Sequence, residues 1–458
     1  FKPDIIHCHD WQTGLIPVYL HDSFQSDPFF WGIKTIFTIH NLKFQGTWSV
    51  DTIKGFSGLS DYYFTSDKLE AYGNGNMLKG GLVYADRITT VSRSYASEIR
   101  MPFYGEGLDG LLRARSKQLS GIVNGIDYNV YNPKTDKDIA VNYSVEDVIK
   151  AKAANKTALQ KELGLEENPD AFMLGIVSRL TDQKGLDLVE CVLDQICAED
   201  VQLVVLGTGE GKYQDMFTYY SRKYPERVSA NIFYSEALSH RIYASCDAFL
   251  MPSLFEPCGL SQLMSLRYGT LPIVRETGGL RDTVTPYNEV DGTGTGFSFT
   301  NYNAHEMLAI IRYAKKTYFN DRRAWNEMVL RAMKQDFSWD ASAREYEKLY
   351  DGLIEEEARR KEAIRLQQAR EAAEAALKEA EKALELAKRA EEKAIRKFNG
   401  IEDEQEDEKI KTAEAPEEDL EAEGSEPEEV SETPEAAPEP DEALEVSETS
   451  ETSVKAKE

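Results

Sequence analysis

Cysteine is scarce in this chain: five in 458 residues, at Cys8, Cys191, Cys197, Cys246 and Cys258, with no Cys-x-x-Cys pair. A set this sparse and odd in number excludes a disulfide framework and fits reduced thiols in a cytosol-like compartment. No run of 18 apolar residues occurs, so no transmembrane helix is expected. Phe1-Lys2-Pro3-Asp4 is neither a signal peptide nor an initiator start, and the chain reads as a fragment or a processed form. Basic excess is also missing. The net charge of −27 argues against a nucleic-acid partner. Much of that charge is local, because residues 399–458 hold 24 acids against 4 bases. The rest carries about −7, unremarkable for its size. No solenoid-type repeat is present. The length suffices for two core-bearing domains with extra segments.

The stretch 248–284 organises the rest. Ala248-Phe249-Leu250-Met251 is a short buried strand, and a polar turn with Glu256 near its tip follows. Leu260, Leu263, Met264 and Leu266 fit one helix face, which Gly269 closes. Leu271–Val274 is the next strand, followed by Thr277-Gly278-Gly279 and a short helix at Leu280. Two strand-to-helix turns therefore lie side by side, one with a carboxylate and one with bare glycines. In an open α/β sheet such turns face the ligand crevice. Backbone N–H groups at a glycine turn suit phosphate. Glu256 is suited to accept hydrogen bonds from a hydroxylated substrate. The competing reading is a helix N-terminal acid that only stabilises its helix.

In the first half, Asp4–Ile6 and Thr35–Ile39 read as strands that stop at His7-Cys8-His9-Asp10-Trp11 and at His40-Asn41. Strands that end abruptly in polar residues mark a ligand edge. No further His or Cys stands at zinc spacing around His9 and His40, so no metal is expected. The two histidines read equally as sugar contacts or as core residues. Asn76–Asp86 reads as a helix and Arg87–Val91 as a strand. Tyr104–Gly110 is a glycine-rich turn, and Gly121–Ile126 a strand ending in the turn dipeptide Asn124-Gly125.

Residues 129–170 read as a linker, helical over Ala151–Leu163. The strand Phe172–Val177 then opens a second domain and runs into Ser178–Gly185. Arg179 and Lys184 flank this strand-to-helix turn. One planar fork and one point charge can both reach a diphosphate and stabilise its departure. Surface charges are the alternative. Gly207-Thr208-Gly209 follows the strand Leu203–Leu206, but the distant acid of a dinucleotide fingerprint is not in place. Tyr234, past the strand end at Asn231, is either a stacking face or a core residue. Ser338 is a plausible cap for a helix with Leu349, Leu353 and Ile354 on its apolar side.

Residues 355–398 are rich in Ala, Glu, Lys and Arg, with a heptad seam from Ala363 to Phe398 broken at Arg370 and Glu391. An exposed single helix laced by i,i+4 ion pairs is expected, with a coiled-coil partner for 363–398 as the alternative. Residues 399–458 have the composition of a disordered acidic tail.

Phe255-Glu256-Pro257-Cys258-Gly259-Leu260-Ser261-Gln262-Leu263, Arg267-Tyr268-Gly269-Thr270, Thr277-Gly278-Gly279-Leu280 and Ser178-Arg179-Leu180-Thr181-Asp182-Gln183-Lys184-Gly185 resemble the bacterial glycogen synthases and plastid starch synthases. His9-Asp10-Trp11 and His40-Asn41-Leu42-Lys43-Phe44-Gln45-Gly46 extend the resemblance into the first half. It implies an α/β fold of GT-B type, with two Rossmann-like domains facing across a cleft. The parts are a truncated acceptor-side domain at 1–128, the linker at 129–170 and a nucleotide-sugar domain at 171–336. A crossover helix at 337–354 precedes the charged helix (355–398) and the tail (399–458).

The implied reaction moves glucose from ADP-glucose to the non-reducing end of an α-1,4-glucan with retention, in the cytoplasm or a plastid, without metal or other cofactor. The implied catalytic set is Glu256, Arg179, Lys184, Asp10 and His40. The implied substrate contacts are Thr277, Gly278, Gly279, Tyr234 (on adenine) and Asn124. Lys79-Gly80-Gly81-Leu82 is not the family's N-terminal Lys-x-Gly-Gly-Leu signature, which is expected ahead of Phe1. A non-catalytic glucan-binding scaffold, or a GT-B-like epimerase or phosphorylase, are the rival readings.

Overall fold

The structure is a computed structural model and describes residues 1–400. Its described residues fall into two units, 1–368 and a second that begins at Ala369. The acidic tail expected at 399–458 lies, from Ile401 on, outside the described residues.

Two parallel sheets build the first unit. One orders its strands Ile5–His9, Lys34–Ile39, Arg87–Thr90, Leu119–Gly121. The other has six, in the order Val228–Asn231, Val201–Leu206, Phe172–Val177, Ala248–Met251, Leu271–Arg275, Phe297–Phe299. A small antiparallel sheet joins Thr47–Ser49, Asn74–Asn76 and Glu70–Ala71. The central strands of the large sheet are apolar without alternation because helices cover both faces. Phe172, Leu174, Val204, Phe249 and Ile273 are all fully buried or nearly so. Because every strand runs parallel, all the strand-to-helix turns of a sheet emerge along the same edge. That places the turns after Val177, Met251 and Arg275 together.

The structure refines the expected bounds in three places. The strand read at Gly121–Ile126 pairs only over Leu119–Gly121. Ile126 instead donates its N–H to the Phe337 carbonyl at 2.8 Å, so the chain leaves the sheet there to meet the start of the last helix. The stretch 129–170, expected as a linker helical over Ala151–Leu163, is helical over Val148–Leu163. Its helix Val148–Leu163 buries Lys152 and Lys156 against the large sheet. Burial pushes the Lys152 ammonium down to about 7. Lys156 lies 2.6 Å from the Asp247 carboxylate. Upstream, Asp136-Lys137-Asp138 is an Asp-x-Asp triplet that can share an ion with His240. The Asp136 carboxylate is engaged otherwise, by His240 Nδ1 at 2.7 Å and the Tyr268 hydroxyl.

Third, the crossover helix and the charged helix are one element, Trp339–Phe398. Its charged part is not wholly exposed, since Glu357 is buried. Arg360 and Lys34 hold its carboxyl down to about 2, with Lys34 at 3.2 Å. Within the second unit the described residues are exposed throughout.

Candidate active site

Three loops after three adjacent strands converge on Glu256. Gly185, at φ +69, brings its turn against the next loop, where a Cβ would stand 2.0 Å from the Pro252 carbonyl oxygen. Gly278, at φ +45, approaches the Glu256 carbonyl as closely, a Cβ there falling at 1.9 Å. No side chain fits either position. Glu256 is 6% exposed as a residue, and one oxygen, Oε2, takes two donors. Lys184 Nζ is 2.6 Å away and Ser253 Oγ 3.0 Å away.

A cavity of about 200 Å³ opens beside this group. Arg179, Lys184, Glu256 and Gly259–Leu260 line it from the large sheet, and His40 and Asn41 from the small parallel sheet, with Asn124 between. Asp10 is not in its lining. The Asp10 carboxylate accepts the His40 N–H at 2.7 Å, so it fixes the backbone at His40. His9 Nδ1 meets His40 Nε2 at 3.0 Å, and burial followed by the His40 charge lowers the basicity of His9. Next to it, burial and the charges of His9 and His40 hold His7 at about 4, where it bonds Tyr350 and Thr38.

A second cavity, about 340 Å³, shares Arg179 and Leu260 with the first. Tyr234 lines it and is 85% exposed, which removes the core reading of that residue. Tyr131, Phe233, Tyr243 and Met264 complete a largely apolar wall that sequence reasoning misses. Loop aromatics carry no periodic signal, so only Tyr234 stands out in the sequence.

The glycine turn is held by bonds within the protein. Gly278 donates its N–H to Glu98 Oε1 at 2.9 Å, with the Thr277 hydroxyl 3.1 Å from the same atom. Gly279 donates to the Glu256 carbonyl at 3.0 Å. Both candidate phosphate-binding amides are thus engaged, and none of Thr277, Gly278 and Gly279 lines either cavity. Glu98 is a surface-type residue ending the helix Arg93–Glu98, and nothing in its spacing marks it. Burial raises its pKa against the opposing pull of the Gly278 amide. Lys79 is buried and donates to the carbonyls of Ser66 and Glu70, a packing role.

Residues 1–114 match the starch synthase catalytic domain model, and residues 157–329 match that of glycosyl transferases group 1. The chain is 69% identical over 353 residues to the glycogen synthase of Lachnospira eligens, covering 77% of this chain and 74% of that protein. It is 52% identical over 354 residues to the glycogen synthase of Clostridium acetobutylicum, with 77% and 74% covered. The chain belongs to the glycogen and starch synthase family. Among solved structures, the catalytic domain of starch synthase IV from Arabidopsis thaliana, bound to ADP and acarbose, superposes with a TM-score of 0.72 at 35% identity, covering 77% of this chain and 73% of that one. A glycogen synthase of this family is a retaining glucosyltransferase of GT-B fold, and the scaffold alternative is not favoured. No helix among the described residues is long and apolar enough to cross a membrane.

Proposed function

We propose that this glycogen synthase takes ADP-glucose as donor and the non-reducing end of an α-1,4-glucan as acceptor, in a cleft between two Rossmann-like lobes, in the cytoplasm. The observation that carries the reading is the shared wall of the two cavities. Arg179 and Leu260 border both, so a ligand with an aromatic base at one end and a sugar at the other has its diphosphate beside Arg179. The starch synthase IV catalytic domain binds ADP together with acarbose, which supports the same pairing of nucleotide and glucan-like sugar.

The base stacks on Tyr234 in the apolar cavity. Arg179 and Lys184 neutralise charge building on the leaving diphosphate. Lys184 must turn from Glu256 toward phosphate as the donor arrives. Glu256 then grips glucose hydroxyls and stabilises the oxocarbenium-like transition state. His40, set by Asp10, and Asn124 approach the sugar from the other wall. The bond from C1 to the β-phosphate oxygen breaks while the acceptor O4 bonds C1 on the same face. The acceptor proton passes to the departing phosphate, so no covalent nucleophile is needed. Trapping a glucosyl adduct on any carboxylate overturns this route.

The function is tested by ADP release from ADP-glucose on adding glycogen, with UDP-glucose in parallel and chelator in a third series. Glycogen-dependent ADP release, preferred over UDP release and unchanged by chelator, is the expected result. Equal turnover of both donors overturns the donor assignment.

A further inference from the structure

A buried guanidinium holds the backbone just ahead of Glu256 with no carboxylate within ion-pair distance among the described residues. Arg275 ends the strand Leu271–Arg275 and is 7% exposed. Among the described residues it makes no ion pair. Its donors go to neutral acceptors. Nε donates to the Ser253 carbonyl at 2.8 Å, and Nη2 to the Leu254 carbonyl. Nη1 reaches the Thr300 carbonyl at 3.4 Å, and the Tyr302 ring lies 5.7 Å from the guanidinium carbon. Burying a charge without a direct ion-pair partner is costly. Guanidinium suits the position because its fork bonds two successive carbonyls at once.

Those two carbonyls belong to the residues just ahead of Glu256. Ser253 supplies both the carbonyl that Arg275 holds and the hydroxyl that meets Glu256 Oε2 at 3.0 Å. Arg275 also touches the other lobe. Nη2 lies 3.4 Å from the Tyr104 hydroxyl, and the Arg275 field lowers the pKa of Glu98 against its burial. We propose that Arg275 is a positioning residue for glucosyl transfer, its guanidinium fixing the Ser253–Leu254 backbone that aims Glu256 at the sugar. The inference rests on the role given to Glu256 above.

The test uses the full-length enzyme with R275K, which keeps the charge and loses the fork, and with E256Q as control. R275K lowers kcat at least tenfold, while the Kd for ADP stays within threefold, because Arg275 lines neither nucleotide-side cavity. A merely structural role moves active-site content and Tm but leaves kcat per ADP-binding site unchanged. In R275A, added ethylguanidine restores part of the lost kcat. R275K with wild-type kcat beside a crippled E256Q overturns the role of Arg275 alone. An E256Q enzyme of wild-type kcat overturns the reading of Glu256 itself. A parallel loss of ADP affinity and kcat in R275K, or no rescue of a folded R275A, also overturns the proposal.

Discussion

Lys184 Nζ lies 2.6 Å from Glu256 Oε2, the lysine side chain 16% exposed and the glutamate 8%. The pair couples the proposed phosphate ligand to the proposed sugar ligand before either substrate part is present. Removing one member leaves the other charge in a shielded place, which costs more than an exposed pair would.

E256Q is therefore expected to lower kcat by about 10²- to 10³-fold, the range for deleting one preorganised electrostatic contact to a transition state. K184M should fall by a similar factor, and the double variant by much less than the product, because each single change strands the partner. Initial rates with saturating glycogen measure this. Additive losses would mean that the two residues act independently.

Tyr234 offers its ring to solvent, 85% exposed. Base stacking on an aromatic is worth about 1–3 kcal/mol. Y234A should raise the donor KM by about 5- to 150-fold with a small change in kcat, whereas Y234F stays near wild type. An unchanged KM in Y234A would place the base elsewhere.

The candidate-site turns are legible in the sequence because they sit where apolar runs stop. Phe172–Val177 and Ala248–Met251 match their expected bounds, and Arg179, Lys184 and Glu256 follow those ends directly. Their partners are not legible. Glu98 reaches the Thr277–Gly278 turn across 179 and 180 residues, and no local pattern records such a contact. The sequence displays the bare amides of the glycine turn but not their partners, the Glu98 carboxylate for Gly278 and the Glu256 carbonyl for Gly279. The long helix reads as two because its composition changes near Glu355, although the backbone bonding does not.

His7 gives a pH dependence with a definite sign. Its folded value of about 4 lies below the ordinary 6.5, so between these limits the unfolded chain binds the extra proton. The stabilisation is complete above about pH 6.5 and is lost as pH falls toward 4. Tm measured from about pH 7.5 to about pH 4.5 should drop less steeply in H7Q than in wild type. Parallel curves would exclude His7 as a contributor.

Glu357 joins the long helix to Lys34 and carries Arg360 on the same carboxylate. E357Q should lower Tm by a few degrees, on the order of 1 kcal/mol for a partly shielded network. The effect should vanish as pH falls from 4.5 through about 2, where the wild-type carboxyl takes up its proton. An unchanged Tm at neutral pH would show that the helix is held by its apolar contacts alone.

The most direct measurement is a crystal structure of the enzyme with ADP bound. The β-phosphate is expected within hydrogen-bonding reach of both Arg179 and Lys184, with the adenine stacked on Tyr234 and Glu256 facing the empty sugar position. Density for ADP anywhere else, or a diphosphate touching neither cation, would contradict the assignment of this cleft.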